Sequence, residues 1–159
     1  MGNARNLADN LPATGASGNR NIIINGAMEI AQRGTSHTSN GFGSLDRMRF
    51  VLSGATGTMS QEYMTVNDKS TTGFAHYMRM NITAGADAAG LLYTVEGRDI
   101  DRLQGKKVTM SFWAKGTNPG GGNFSIDHML IDVSSFSDQD AGVSSNLTVT
   151  STWTQYSFT

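Results

Sequence analysis

Hydrophobic positions in this chain recur with a period of two over short segments that glycine separates. The clearest segment is 108–115 (VTMSFWAK), where Val108, Met110, Phe112 and Ala114 share one parity. Successive side chains of a strand point to opposite faces, so this segment is predicted to be a strand with one apolar face.

The same periodicity predicts further strands, at residues 47–52, 58–63, 74–82, 91–96, 124–133, 146–150 and 153–158. In segment 74–82 one parity is mostly apolar and is expected to be buried; it carries Phe74, His76, Met78, Met80 and Ile82. Only residues 4–10 and 99–103 could be helical. Strands at this spacing, with turns between them, favour an all-β fold, an antiparallel β-sandwich.

The first 20 residues differ in character from the rest. They are rich in Asn, Ala, Gly and Ser, and Leu7 and Leu11 are their apolar anchors. A short helix would place both leucines on one face, and Pro12 would end it. Residues 1–20 are therefore either a disordered leader or an arm that orders against a partner through Leu7 and Leu11. Asn25-Gly26, just after the change, marks either a turn or a bulge within one strand.

Large aromatic residues stand at the end of the sequence. Trp153, Tyr156 and Phe158 lie in its last seven positions, where frayed termini usually bury little. We expect an open sheet edge and exposed rings there, and a sandwich that is incomplete in its last strands. Either the natural protein continues, which we favour, or a neighbouring subunit supplies the missing edge. An intact-mass measurement on the natural protein distinguishes the two explanations.

Composition narrows the function. The net charge is −1, the hydrophobic content is 38%, and there is no cysteine. No basic stripe is present for nucleic acid, no apolar run is long enough to span a bilayer, and residues 1–20 lack the apolar core of a signal peptide. We therefore expect a protein made in the cytoplasm, with no nucleic-acid partner and no membrane insertion.

Candidate catalytic and metal-binding groups are few, so the chain is expected to be no enzyme and to need no cofactor. His37 is expected to be solvated in a Thr/Ser-rich loop, whereas His76 and His128 are expected to be satisfied, partly buried histidines. Asp138 and Asp140 alternate in a loop as calcium ligands can, but a plain polar turn is the favoured reading and no metal is assigned.

A sugar platform requires an exposed aromatic ring flanked by polar groups. Trp113 is the best candidate because it lies on the polar parity of its strand, and Tyr93 and Tyr63 are weaker ones. The alternative that we favour for Trp113 is packing under a loop or at a subunit interface.

Several sequence words together resemble one group of phage structural proteins. They are NIIINGAMEIAQRGTS from residue 21, LDRM at 45–48, VEGRDIDRLQGKKVTMSFWAKG from residue 95, and WTQYSFT at the end. The resemblance implies a jelly-roll domain similar to galactose-binding-like carbohydrate-binding modules, in a tail-fibre or head-fibre subunit that is often trimeric. The LDR word of that group is usually followed by Trp; here Met48 removes one large aromatic, from either the core or a ligand face.

The resemblance leads to a specific expectation. Residues 1–20 would be a virion-attachment arm and residues 21–159 a β-sandwich for host attachment, in a protein located in the virion. Its partners would be other virion proteins and two further copies of itself, with a host surface glycan as an additional ligand. The alternatives are a glycan-binding module for host surface polysaccharide and an accessory module of a glycoside hydrolase.

Overall fold

A computed structural model describes residues 21–100, 109–116, 124–126, 129–131, 139–141, 145–147 and 149–158. Its strands all pair in antiparallel fashion, which confirms the predicted all-β class. In chain order the elements are β1 (Ser36–His37), β2 (Met48–Tyr63), α1 (Val66–Thr72), β3 (His76–Tyr93), α2 (Gly97–Ile100), β4 (Met110–Ala114), β5 (Phe124–Ile126), β6 (Met129–Ile131), β7 (Gln139–Ala141), β8 (Ser145–Leu147) and β9 (Thr154–Phe158).

The chain divides into two compact units. Of the described residues, unit 1 comprises 21–64 and 74–100, and unit 2 comprises 65–73 and those between 109 and 158. Unit 1 holds a three-stranded sheet in the order β1-β2-β3, whereas unit 2 holds the two-stranded sheets β4-β9, β5-β8 and β6-β7.

The long hairpin of β2 and β3 dominates unit 1. Its ladder runs from Met48 opposite Tyr93 to Tyr63 opposite His76. The sequence predicted a strand end at Gly54 and therefore two strands in place of β2, and that prediction is wrong. Gly54 adopts a φ of 60° where the register shifts, so the strand passes through an irregularity and continues. Segments 74–82 and 91–96, predicted as separate strands, likewise join in β3.

The core of unit 1 is small and lies on one face of the hairpin. Its fully buried apolar side chains are those of Leu45, Met48, Phe50 and Met59. Met48, the last residue of the LDRM word, is thus a core residue.

The apolar parity of segment 74–82 is only partly buried. Met78 and Met80 pack against the core, as predicted, whereas Ile82 is 43% exposed and Phe74 is 38% exposed. The core therefore covers the middle of this face and leaves its two ends in contact with solvent.

Asn25-Gly26 forms a turn, and the bulge interpretation is wrong. Asn25 has a φ of 60°, and the Met28 amide donates to the Asn25 carbonyl oxygen over 2.9 Å. The β-branched run Ile22 to Ile24 does not belong to any strand. Asparagine tolerates the left-handed region better than other residues with a Cβ, which suits it to this position.

Helix α1 in unit 2 was not predicted from the sequence. Thr65 caps its N-terminus by accepting a hydrogen bond from the Asp68 amide over 3.1 Å, and Gly73 ends it with a φ of 81°. Thr65 followed by Asp68 three positions later, with a glycine after the last turn, is a known start and stop pattern for a helix. The signal was therefore present in the sequence.

Two of the aromatic residues near the end of the sequence, Trp153 and Tyr156, pack within unit 2. Strand β9 pairs with β4, and the ring of Tyr156 stacks on Phe112 with 5.8 Å between centroids. Trp153 and Tyr156 are half-buried, so the expectation that these two rings are exposed is wrong. The predicted strand 124–133 is described as two short strands, β5 and β6.

Candidate functional site

In unit 1, contacts connect three of the sequence words quoted above: NIIINGAMEIAQRGTS, LDRM and the start of VEGRDIDRLQGKKVTMSFWAKG. Asn25 connects the first of these words to the second. The Asn25 Nδ2 group donates to the carbonyl oxygens of Ile30, over 2.9 Å, and of Asp46, over 3.0 Å. Its Oδ1 atom accepts from the Ile30 amide over 2.9 Å. A single side chain thereby fixes both the local turn and the position of the LDRM word.

The LDRM word makes the remaining links. The Asp46 amide donates to the Ile30 carbonyl oxygen over 3.0 Å, and Asp46 Oδ1 accepts from the Gln32 amide over 3.2 Å. Arg47, with a φ of 71°, forms an ion pair of 3.0 Å with Glu96 in the VEGR word. Left-handed backbone at a non-glycine residue persists where its surroundings fix it, and these contacts provide that constraint.

Tyr93, a predicted sugar-platform residue, packs against the segment that leads into this turn. Its hydroxyl accepts from the Ile24 amide over 2.7 Å and donates to the Ile22 carbonyl oxygen over 3.2 Å. The ring is half-buried and contacts the core cluster. These contacts connect the end of β3 to residues 22–24.

The other two platform candidates lie in different surroundings. Tyr63 is 81% exposed, and its ring lies 4.7 Å from that of His76, tilted by 48°. Trp113 is half-buried in β4, opposite Gln155. Of the three, Tyr63 therefore presents the most accessible ring. The proposed docking residues Leu7 and Leu11 lie outside the described residues.

The histidines differ from expectation. His37 is half-buried: Nδ1 lies 2.9 Å from Ser44 Oγ, Nε2 lies 3.2 Å from the Gly41 carbonyl oxygen, and the ring stands edge-on to Phe50. The prediction of a solvated His37 in a loop is wrong, because His37 lies in β1 and pairs with Met59 of β2. His76 is half-buried as expected, but its Nδ1 atom has no hydrogen-bond partner among the described residues.

The carboxylates considered as calcium ligands do not form a described site. Asp138 and His128 lie outside the described residues, and Asp140 lies in β7, where its backbone pairs with Leu130. Within the described ranges, no group of three or more His, Cys, Asp or Glu residues is arranged to hold a metal ion.

Unit 2 contains a charged cluster at the start of α1. Lys115 Nζ lies 3.1 Å from Asp68 Oδ2 and 4.9 Å above the centroid of the Trp153 ring. The pKa of Asp68 is lowered, chiefly by the hydrogen bond from Lys115. The cluster connects α1 to Lys115, which follows β4, and to Trp153, which precedes β9, and an ammonium group above an aromatic face adds a favourable contact.

A polar groove of about 380 Å³ lies on the sheet of unit 1. The strand register explains most of its lining, because Ser36 lies opposite Ser60, Ser60 opposite Arg79, and Thr58 opposite Asn81. Glu62, on the same parity of β2, completes this row, and Thr35 and Gln61 lie at its border.

The sequence interpretation did not identify this groove. The polar parity of segments 58–63 and 74–82 is visible in the sequence and was the available signal. The sequence does not show which strands pair or in what register.

Among the helices that the structure describes, none is long and apolar enough to cross a membrane. Comparison of the chain with protein-family models, curated proteins and solved structures finds no match.

Proposed function

We propose that this chain is a non-enzymatic fibre subunit of a phage particle, which attaches through residues 1–20 and presents its β-domain for contact with the host. The observation that carries the proposal is the contact of three resembling words in unit 1. Asn25 binds Asp46, and Arg47 binds Glu96. These direct contacts give a physical reason for the three words to occur together in this order.

The contacts also supply the mechanical element that such a role requires. An arm that docks to a particle transmits force to the domain that follows it. Residues 21–47 are joined to the hairpin at separate points, by Tyr93 at Ile22 and Ile24, by Gln61 at Met28, and by the ladder of β1 with β2. Gln61 Nε2 donates to the Met28 carbonyl oxygen over 2.6 Å.

The β-domain is proposed to close into a jelly-roll sandwich of the galactose-binding-like kind. The antiparallel sheets of both units are compatible with this fold, and so are the short strands of unit 2. The subunit is proposed to be a homotrimer, because paired strand edges between copies would protect the long outer edge of β3. Light scattering on the purified chain tests the trimer against multiples of 17.0 kDa.

Incorporation into particles tests the fibre role directly. Deleting residues 2–18 is expected to abolish incorporation while leaving the far-ultraviolet circular dichroism of the β-domain unchanged. The double variant Leu7→Ala, Leu11→Ala is expected to reduce incorporation, and Asn6→Ala, Asn10→Ala is its matched control. Normal incorporation of the deletion variant would refute attachment through this segment. Electron microscopy of labelled particles then distinguishes a tail from a head location.

A further inference from the structure

Two Asn-Gly pairs occur in the chain, Asn25-Gly26 and Asn40-Gly41, and both lie in unit 1. Asparagine followed by glycine is the pair most prone to deamidation, because glycine has no Cβ to hinder attack by its backbone nitrogen on the asparagine side chain. The two pairs share this local chemistry. A difference in reactivity between them therefore has to come from the structure around each pair.

The backbone nitrogen that would attack is hydrogen-bonded in one pair and free in the other. The Gly41 amide donates to the Phe50 carbonyl oxygen over 2.9 Å, and the Gly41 carbonyl oxygen accepts from the Phe50 amide over 3.0 Å. Gly26 is exposed, and its amide makes no hydrogen bond with the described residues. Attack requires the amide to lose its proton to a solvent base, and a hydrogen bond to a carbonyl oxygen opposes that loss. Of the two glycines, Gly26 therefore presents the more reactive amide.

The side chain of Asn25 is arranged as an electrophile. Its Oδ1 atom accepts from the Ile30 amide over 2.9 Å, and a donor at this oxygen stabilises the negative charge that develops there when Cγ is attacked. Nδ2 donates to the carbonyl oxygens of Ile30 and Asp46, which keeps the side chain beside the turn. The two hydrogen bonds with Ile30 are exposed to solvent, and the turn belongs to no strand, so it opens locally with a small free-energy cost.

Asn40 is held by a larger set of hydrogen bonds. Its Nδ2 donates to the Leu52 carbonyl oxygen over 3.0 Å, and its Oδ1 accepts from the Leu52 amide. The pairing of Gly41 with Phe50 adds two more bonds next to it. Reaction at Asn40 thus requires its segment to separate from β2, whereas reaction at Asn25 requires only that the turn opens.

We propose that Asn25 is a deamidation site in the folded chain, and that its conversion opens the joint that Asn25 forms between the first two sequence words. The deprotonated Gly26 nitrogen attacks Asn25 Cγ, a bond forms between these atoms, and the Cγ–Nδ2 bond breaks to release ammonia. Water then adds to either carbonyl of the resulting succinimide ring and opens it to aspartate or isoaspartate. The net reaction consumes one water and releases one ammonia, with no redox step.

The product cannot make the contacts of the amide. An ionised carboxylate donates no hydrogen bond, so the carbonyl oxygens of Ile30 and Asp46 lose their donor and face a negative charge. Isoaspartate also lengthens the backbone by one methylene at the residue whose φ of 60° shapes the turn. Because the ammonia diffuses away, the joint does not re-form. This inference goes beyond the fibre role, since the reaction requires unit 1 and no particle.

Peptide mapping of the full-length chain by mass spectrometry tests the proposal. Trypsin cleaves after Arg20, Arg33 and Arg47, so each Asn-Gly pair falls in a peptide of its own. The chain is aged in mildly alkaline buffer, folded or in urea, and digested in heavy-oxygen water, which marks deamidation that occurs during handling. In the folded chain we expect deamidation to be about tenfold or more faster at Asn25 than at Asn40, because Gly41 has two additional hydrogen bonds to break. In urea the two rates are expected to be similar.

Two variants separate the reaction from its effect. Gly26→Ala places a Cβ 3.5 Å from the nearest atoms of Ile23, an ordinary contact, and is expected to slow deamidation at Asn25 while leaving Asn40 unchanged. Asn25→Asp reproduces one product. It is expected to raise hydrogen exchange at the Asp46 amide, which donates to the Ile30 carbonyl oxygen, and the aged wild-type chain is expected to show the same increase.

Three results would overturn the proposal. The first is a deamidation rate in the folded chain that is as fast at Asn40 as at Asn25. The second is the absence of reaction at Asn25 in the folded chain over a period in which the chain in urea is fully converted. The third is wild-type exchange at Asp46 in both Asn25→Asp and the aged chain, which would refute the effect on the joint. Because the assay uses purified protein, its failure leaves the particle-incorporation test of the fibre role unaffected.

Discussion

Replacing Asn25 by alanine probes the joint between the first two sequence words. Asn25→Ala removes three hydrogen bonds, two donated by Nδ2 to Ile30 and Asp46 and one accepted by Oδ1 from Ile30. It also places a residue with poorer tolerance of the left-handed region at a φ of 60°. The change thus acts on both the side chain and the backbone.

The size of the effect follows from these two contributions. Each hydrogen bond contributes about 0.5–1.5 kcal/mol net, and the values at the lower end apply because the Ile30 bonds are exposed to solvent. The left-handed conformation costs alanine about 1 kcal/mol. We therefore expect the free energy of unfolding of unit 1 to fall by about 2–4 kcal/mol. Asn25→Gly removes only the hydrogen bonds and is expected to cost about 1 kcal/mol less than alanine.

The assay must report on unit 1. Both tryptophans, Trp113 and Trp153, lie in unit 2, so their fluorescence follows that unit. Amide hydrogen exchange at Phe50 and Met80 follows unit 1, combined with urea titration by far-ultraviolet circular dichroism. Asn25→Ala is expected to raise exchange rates at these amides.

A control variant fixes the scale of this experiment. Asn67→Ala removes an exposed side chain in α1 that makes no hydrogen bond with the described residues, and it is expected to change stability by less than about 0.5 kcal/mol. A change of the same small size for Asn25→Ala would refute the reasoning, because it would mean that Asn25 does not join these segments.

Three further changes test other parts of the structure. Gly85→Ala places a Cβ 2.3 Å from backbone atoms of the partner strand, at a φ of 110°, and is expected to disrupt the hairpin. Gly90→Ala places a Cβ with no atom within 4 Å and is expected to be tolerated. Thermal unfolding of the two variants compares their stabilities. Tyr93→Phe keeps the ring but loses both hydroxyl hydrogen bonds and is expected to lower stability by about 1–2 kcal/mol in urea titration; a loss below about 0.3 kcal/mol contradicts this. Lys115→Met is expected to raise the pKa of Asp68 toward its ordinary value, as read from its carboxyl resonance during a pH titration. Since the pKa of Asp68 is lowered in the folded state, the stability linked to Asp68 is present above its unfolded pKa and is lost as pH falls through the folded pKa. The Lys115→Met variant is expected to lose less stability over that pH range than the wild type. An unchanged titration curve of Asp68 contradicts the assignment.

The period-two pattern was sufficient for strand positions but not for strand continuity. It correctly placed residues 110–114 and 154–158 in strands and Met78 and Met80 against the core. It broke β2 at Gly54, because a glycine that ends a strand and a glycine that bends one are identical in sequence. What distinguishes them is the partner strand, which here continues on the other side of the irregularity.

The candidate site was harder to predict for a related reason. Glu62 and Arg79 are polar residues on predicted strands, and nothing local to either one indicates a groove. Their proximity arises from the register that sets Ser60 opposite Arg79, and that register depends on two irregularities between residues 53 and 57. A shift of one residue would exchange the polar and apolar faces of the strand.

Polar side chains of unit 1 protect one edge of its hairpin where hydropathy gives no signal. Asn40 Nδ2 donates to the Leu52 carbonyl oxygen, its Oδ1 accepts from the Leu52 amide, and Gly41 pairs with Phe50 beside it. The Gln61 backbone amide donates a hydrogen bond to the Thr35 carbonyl oxygen. The outer edge of β2 is thus closed at separate points by an asparagine side chain, a single bridge and a two-residue strand, in place of a full neighbouring strand.

The short strand β1 affects both the polar groove and the hydrogen bonds of Asn25, which lie in the same unit. The two-residue strand β1 sets Ser36 opposite Ser60, in the polar row that also contains Glu62. The same short β1 requires the chain before it to be fixed by side chains, and Asn25 and Tyr93 perform that task. Open edges invite pairing with other chains unless they are blocked, so each of these contacts contributes to stability and to resistance against aggregation. A variant of Asn40 should therefore associate more readily than wild type before it unfolds, because it opens the β2 edge at Leu52 while leaving the four buried core side chains in place.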